Sequence, residues 1–157
     1  MREPSEEVDR LAREAVDCGF AIHRDLGPGL PESVYEAILA AKLQRKGIQV
    51  ERQKPLNVEY DGIILTDGFR VDLLLEGQLI IELKSVERLA PVHSKQLLTY
   101  LRLTGRSLGL LMNFGAATYK EGVRRIANGH PLASLRPGVS PNAESITATV
   151  VGLQPAA

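Results

Sequence analysis

The chain has 157 residues, close to the usual size of one domain, so two large independent domains are excluded. Its composition, 44% hydrophobic and 24% charged with a formal net charge of zero, allows a buried core and excludes a wholly disordered chain. No apolar run approaches the roughly 20 residues of a membrane span, and the single cysteine, Cys18, excludes an internal disulfide and any multi-cysteine metal site. Because the N-terminus is also too acidic and polar for a signal peptide, we expect a cytoplasmic protein with no membrane partner.

Two helices are predicted at the start of the chain. Ser5 precedes acidic residues and apolar residues at helical spacing, which predicts a first helix to about Asp25. A Gly-Pro-Gly turn ends it. Pro31, a residue favoured in the first helical turn, opens a second helix that Gly47 stops.

From Ile48 the hydrophobic period changes to two, which predicts a run of strands as far as Leu83. The elements predicted after them are a helix over Val92–Thr104, a buried strand over Leu108–Phe114, and a last helix from a Thr118–Glu121 capping box to Gly129. Residues 131–157 are rich in Pro, Ser, Ala and Gly, so we expect a loosely ordered C-terminal tail with one short strand at Ile146–Leu153. The predicted domain is therefore residues 1–130, an α/β or α+β fold with a mixed sheet flanked by helices.

Three charged residues lie in the segment FRVDLLLEGQLIIELK, residues 69–84. Glu82 and Lys84 are two apart on a strand and project to one face, whereas Asp72 lies on the preceding strand. A two-residue turn between the strands would send Asp72 to the other face, among leucines, at a cost of several kcal/mol. A three-residue loop of Leu75, Glu76 and Gly77 avoids this and predicts the pairs Leu73–Leu79, Val71–Ile81 and Asp72–Ile80.

Two carboxylates beside a lysine suit a site for a hard divalent cation. Mg²⁺ prefers oxygen ligands and keeps positions open for water and a phosphate oxygen, and an ammonium group can orient that water. A bare E-x-K pattern is common, and a structural Glu82–Lys84 ion pair at a sheet edge explains it as well.

The spacing of these residues resembles that of a known family. Asp72, followed by Glu82-Leu83-Lys84, is similar to the D…E-x-K core of the PD-(D/E)XK nuclease superfamily, whose minimal fold is helix, three strands, helix, strand. The segment GLPESVY, residues 29–35, resembles the motif that names the GxxExxY protein family, a branch of that superfamily, and HRDLGPG just before it is also similar to that family. The likeness spans residues 23–129 and implies a restriction-endonuclease-like core. Val71 stands where the superfamily name has Pro, a departure that leaves the reacting groups intact.

The resemblance implies a role for each matching residue of the site. Asp72 and Glu82 would bind Mg²⁺ or Mn²⁺, assisted by the Leu83 carbonyl, and Lys84 would be the catalytic lysine. Glu32 would be a further metal ligand or a carboxylate that positions water.

Four other residues are candidates for substrate binding. Gln96 and Tyr100 resemble the Q-x-x-x-Y motif of exonuclease-like branches, where these side chains support the site and the DNA end, and their spacing places them on one helix face. Tyr35 is a candidate through its hydroxyl, and His23 as a metal or phosphate contact. A packing role fits both residues too.

The distribution of charge bears on the partner. Residues 1–83 hold 16 Asp and Glu against 10 Lys and Arg, whereas residues 84–157 hold 3 against 9. The basic half would suit a polyanion, although solvated helix faces explain these charges equally well.

We therefore expect a metal-dependent nuclease (a hydrolase) that cleaves phosphodiester bonds in nucleic acid, with DNA favoured over RNA. The alternatives are a non-catalytic nuclease-like module that binds nucleic acid or a protein partner, and a plain structural domain. The sequence leaves open whether the protein acts alone, as a homodimer or with a partner protein.

Overall fold

The computed structural model of the protein describes residues 3–129, which form one five-stranded sheet with helices on both faces. The strand order is β1-β2-β3-β4-β5, and every neighbouring pair is antiparallel except β3 and β4, which are parallel. The elements in chain order are α1 (Glu6–Leu26), α2 (Glu32–Arg45), β1 (Val50–Tyr60), β2 (Ile63–Leu75), β3 (Leu79–Lys84), α3 (Pro91–Thr104), β4 (Leu108–Asn113), α4 (Tyr119–Gly122) and β5 (Val123–Ala127). The predicted fold, a mixed α+β sheet flanked by helices, is confirmed.

The helix boundaries follow the local signals in the sequence. The Ser5 side chain caps α1 by accepting a hydrogen bond from the Val8 backbone N–H. At the other end Gly27 adopts a positive φ of 67°, and its N–H donates to the His23 carbonyl. Gly105 ends α3 in the left-handed conformation, directly after the predicted last residue, Thr104. The first three predicted helices, α1, α2 and α3, are confirmed to within a few residues.

The sheet separates two apolar layers, because side chains alternate along each strand. Leu73, Ile81 and Leu83 are buried against α1 and α2. On the other face Leu74 and Ile80 are buried against α3. Asp72, Glu82 and Lys84 share this second face by alternation, so α3 packs beside the carboxylates.

The loop between β2 and β3 lies one residue later in the chain than predicted. The loop consists of Glu76, Gly77 and Gln78, and the observed pairs are Leu75↔Leu79, Leu74↔Ile80 and Leu73↔Ile81. The predicted pair Leu73–Leu79 is therefore wrong by two residues. Leu75 is fully buried and pairs within the sheet, while Glu76 and Gly77 take the positive φ values that the turn requires. A shift of two preserves the faces, so Asp72 and Glu82 still project to the same side.

The last predicted helix is wrong. Thr118 does accept a hydrogen bond from the Glu121 N–H, but α4 ends at Gly122 and the chain continues as β5. β5 pairs with β4 from Leu108↔Ala127 to Met112↔Val123. Without β5, the buried strand β4 would leave backbone N–H and C=O groups unpaired along its outer edge, and unpaired buried backbone groups cost free energy.

The first predicted strands also differ in detail. The predicted run of strands begins with one long strand, β1, which continues through Pro55 and is irregular at Gln53 and between Leu56 and Val58. No helix within residues 3–129 is long and apolar enough to cross a membrane. The tail predicted for residues 131–157, with its strand at 146–153, lies outside the described residues.

Candidate functional site

Asp72 and Glu82 lie side by side where the pairing of β2 and β3 stops. Beyond Leu73↔Ile81, the Asp72 backbone N–H donates to Glu82 Oε1 at 3.2 Å, and the Leu83 N–H donates to Asp72 Oδ2 at 2.8 Å. Each carboxylate thus accepts a hydrogen bond from the backbone of the opposite strand, in place of a ladder bond. The strands themselves therefore hold the two carboxylates together.

The two carboxylates repel each other in a partly buried place. Burial and, to a smaller extent, the Asp72 charge raise the pKa of Glu82 to about 8, while the hydrogen bond from the Asp72 N–H and the charge of Lys84 act in the opposite direction. At neutral pH without a cation, Glu82 therefore holds a proton. A divalent cation between the two groups would stabilise both in the charged form and release that proton.

Lys84 lies on the same face of β3, two residues beyond Glu82. It is partly buried, it stands in register with Asn113 of the parallel strand β4, and it favours the ionised form of Glu82. Within residues 3–129, no carboxylate oxygen lies within 4 Å of its Nζ. Its ammonium group is therefore not committed to an ion pair in the described part of the chain.

Tyr100 and Gln96 of α3 face the carboxylates. The Gln96 Nε2 donates to the Tyr100 hydroxyl at 2.8 Å, and the Tyr100 ring stacks on Phe69 with centroids 4.0 Å apart. Burial raises the pKa of Tyr100 to about 12, with smaller contributions from Glu82 and Asp72. The predicted pair is thus brought together, and Tyr100 lies within electrostatic reach of both carboxylates.

Glu32 is at the carboxyl end of β3. It is exposed in the first turn of α2, and its Oε1 accepts the Ser85 backbone N–H at 3.2 Å. Ser85 follows Lys84, so the Glu32 carboxylate lies one residue beyond the lysine along the strand. Within residues 3–129, no three His, Cys, Asp or Glu side chains are gathered as a ready-made metal site. The structure therefore joins Asp72 with Glu82 but does not add Glu32 to them.

An open depression of about 470 Å³ borders Glu32. It is lined by the turn between α1 and α2, by the residues after β3 and by one glycine after β4: Pro28, Gly29, Leu30, Pro31, Ser85, Val86, Glu87 and Gly115. Ser85, which follows Lys84 in the chain and binds the Glu32 carboxylate, lines one side of it.

A second glutamate, Glu36, was missed by the sequence reasoning. It is one helical turn after Glu32, only 5% exposed, and it pairs with Arg52 Nε at 3.2 Å. The Gln53 Nε2 donates to Glu36 Oε2 at 2.8 Å and also to Asp72 Oδ1 at 3.1 Å. Glu36 is thus linked to Asp72 through one amide. The i, i+4 spacing of Glu32 and Glu36 places both on one helix face and could have indicated Glu36, whereas no pattern in the sequence marks Gln53.

Tyr35 and His23 are engaged elsewhere. The fully buried Tyr35 donates to the Gly27 carbonyl at 2.5 Å and accepts the Leu30 N–H at 3.2 Å, so its hydroxyl fastens the turn between α1 and α2. His23 Nε2 lies 2.9 Å from the carbonyl of Ala116, in the loop after β4. Within residues 3–129, neither side chain is hydrogen-bonded to Asp72, Glu82 or Lys84. They lie around the site, not in it.

Some basic residues of the C-terminal half serve the fold. Arg106 donates to the Gly77 carbonyl at 3.1 Å and is half-buried, which lowers its pKa. Arg125 forms an ion pair with Asp9 of α1. Adjacent Arg124 lies on the opposite face of β5 by alternation. The charge excess of this half is therefore divided between structural contacts and solvent.

Comparisons with known proteins agree with this arrangement. The model of the PD-(D/E)XK nuclease superfamily matches residues 9–126, which is most of the chain and includes every residue of the site described above. No curated protein and no solved structure matches the chain. With a mixed sheet flanked by helices and an Asp, a Glu and a Lys on one face of its central strands, the chain belongs to the PD-(D/E)XK nuclease superfamily.

Proposed function

We propose that the protein is a metal-dependent nuclease that hydrolyses phosphodiester bonds, with DNA as its substrate. The observation that carries this proposal is the pair of carboxylates where the pairing of β2 and β3 stops, a place where burial and the Asp72 charge raise the pKa of Glu82 to about 8. Membership of a nuclease superfamily supports the reaction class.

The donor set fits Mg²⁺ or Mn²⁺. Asp72 and Glu82 offer carboxylate oxygens side by side, and these are the ligands that both ions prefer. A bound divalent ion would neutralise charge on the phosphodiester and make a metal-bound water more acidic. The role of Asp72 and Glu82 is to hold that ion against the end of β3.

Lys84 orients the attacking water and stabilises negative charge at the phosphate. Its place on the same face as Glu82 supports this role, and so does the lack of a carboxylate within 4 Å of its Nζ among residues 3–129. Tyr100 and Gln96 support the substrate strand on the α3 side. Tyr100 keeps its proton at neutral pH, because its pKa is about 12, and its hydroxyl can therefore donate to a phosphate oxygen.

The remaining roles belong to the same proposal. Glu32 acts as a carboxylate that positions water at the carboxyl end of β3, or as a further metal ligand after a rotamer change. Tyr35 and His23 act indirectly, by holding the turn and loop that border the open depression. The GxxExxY branch, a cytoplasmic location and a homodimer or partner protein remain predictions from the sequence.

One observation favours a second candidate, a nuclease-like module that binds nucleic acid without cleaving it. Both carboxylates already accept backbone hydrogen bonds, and no third acidic group joins them within the described residues. Such a module would bind nucleic acid in a salt-sensitive manner and would show no metal-dependent cleavage.

The test is cleavage of labelled single- and double-stranded DNA and RNA with Mg²⁺, Mn²⁺ or EDTA. Wild-type protein is compared with Asp72→Asn, Glu82→Gln and Lys84→Met, each close in size to the native side chain, and with Glu121→Gln as an exposed control. We expect metal-dependent cleavage of DNA that is lost in the first three variants and kept in the control. Cleavage that persists in all three would refute the assignment, and salt-sensitive binding without cleavage would favour the module.

A further inference from the structure

The Gln53 side chain uses both of its amide protons between two acidic residues. Nε2 lies 2.8 Å from Glu36 Oε2 and 3.1 Å from Asp72 Oδ1. A glutamine amide has two N–H donors, so this arrangement spends both of them. The Asp72 carboxylate is then held at Oδ1 by Gln53 and at Oδ2 by the Leu83 N–H.

The backbone at Gln53 is irregular in a way that serves this contact. Its φ is 49°, in the left-handed region that disfavours any residue with a Cβ. Its neighbours pair regularly, Arg52 with Leu73 and Lys54 with Val71, while Gln53 itself has no partner in the register. Unlike Glu76, which lies in a turn, Gln53 takes this costly conformation inside a strand and beside a candidate site, which points to a functional constraint.

Glu36 fixes the orientation of the amide. It is 5% exposed on α2 and is anchored by the Arg52 guanidinium, so it offers a fixed carboxylate that accepts hydrogen bonds. Only the NH₂ side of the Gln53 amide can satisfy it, which prevents the amide from turning its oxygen towards Asp72. Hydrogen bonds to a charged carboxylate are stronger than those between neutral groups. They can therefore hold the Gln53 side chain in place although it is exposed to solvent.

We propose that Gln53 is a positioning residue that holds Asp72 in the orientation needed for metal binding, and that Glu36 in turn holds Gln53. The inference rests on the proposed function, since it assigns these residues to the same site. Each Asp72 oxygen accepts one of these hydrogen bonds and keeps a further lone pair for a metal ion. Partners that orient a metal ligand in this way typically change metal affinity or activity by about ten- to a hundred-fold when they are removed.

Two readouts test this proposal, one of them without metal. In the ¹⁵N-labelled, metal-free protein, the Gln53 side-chain amide protons should resonate away from those of glutamines whose amides contact only water. Their chemical shifts should change in both Glu36→Gln and Asp72→Asn. In Mn²⁺ titrations, Gln53→Asn should bind the ion at least about ten-fold more weakly than wild type. Asparagine tolerates the left-handed backbone but is too short to reach both carboxylates, so this variant removes the bridge without adding backbone strain.

A matched control and the contrary results complete the test. Gln49 is exposed and its side chain makes no hydrogen bond within residues 3–129, so Gln49→Ala should leave Mn²⁺ affinity unchanged. In cleavage assays Gln53→Asn should lower kcat with little change in KM. A Gln53 amide that is insensitive to both acidic variants, or wild-type Mn²⁺ affinity in Gln53→Asn, would overturn the role of Gln53 while leaving the nuclease assignment intact. A wild-type protein that neither binds Mn²⁺ nor cleaves would overturn both.

Discussion

Replacing Glu82 with glutamine tests the electrostatics of the site without requiring any substrate. In the metal-free protein, burial and the Asp72 charge raise the pKa of Glu82 from 4.5 to about 8. Glutamine has nearly the same shape as a protonated glutamate, and its carbonyl can still accept the Asp72 N–H. The variant therefore removes the titration while keeping the contact.

The expected magnitude follows from the pKa. The folded state binds the Glu82 proton more tightly than the unfolded state does, which favours folding by roughly 5 kcal/mol below pH 4.5. This stabilisation is lost as the pH rises through about 8. Between pH 6 and pH 8 the wild-type protein should lose roughly 2 kcal/mol of unfolding free energy, or about 4–9 °C in Tm. Glu82→Gln should not show this loss.

Thermal unfolding in EDTA, measured at intervals of half a pH unit from pH 5 to pH 9, is the assay. The other titrating groups are common to both proteins, so the difference between the wild-type and Glu82→Gln curves isolates this carboxyl group. Glu121→Gln, at an exposed position, should run parallel to wild type. Saturating Mg²⁺ should raise the Tm of the wild-type protein at pH 8 more than that of Glu82→Gln, because an ion that binds the folded state stabilises it. Parallel wild-type and Glu82→Gln curves would refute the reasoning.

Three further predictions concern catalysis and packing. Lys84→Met should lower kcat by about a hundred-fold or more while leaving Mn²⁺ affinity within a few-fold of wild type, as single-turnover cleavage and titration would show. Gly105→Ala should lower the free energy of unfolding in urea by about 1 kcal/mol, because the backbone φ at Gly105 is 68°. Gly115→Ala should lower it by about 2 kcal/mol or more, because the new Cβ would lie 2.5 Å from the Val86 carbonyl oxygen. Leu97→Ala should cost about 2–5 kcal/mol in the same assay, because Leu97 is fully buried between α3 and the sheet.

Local signals in the sequence were enough to predict most of the elements. Ser5 and Gly105 mark helix ends by interactions with backbone groups a few residues away, and such interactions can be recognised in the sequence. The alternation of apolar residues around Asp72 and Glu82 also predicted correctly that the two carboxylates share a face. The loop was misplaced by one residue, but a register shift of two leaves every side chain on its own face.

The β5 strand could not be predicted in this way. Its residues carry a plausible helix cap at Thr118, and the reason for extended structure lies in the unpaired edge of β4, which is distant in the chain. Gln53 poses the same difficulty. Its amide is significant only because α2 places Glu36 and β2 places Asp72 on either side of it.

The sequence by itself therefore determined the helices α1, α2 and α3 and the alternation of the strands that brings Asp72 and Glu82 together, because each depends on neighbouring residues and on the burial of apolar side chains. Only the tertiary structure decided the raised pKa of Glu82, the link from Glu36 to Asp72 and the position of Glu32 on the Ser85 N–H. These depend on distances between residues far apart in the chain, and electrostatic and hydrogen-bond energies change steeply with such distances.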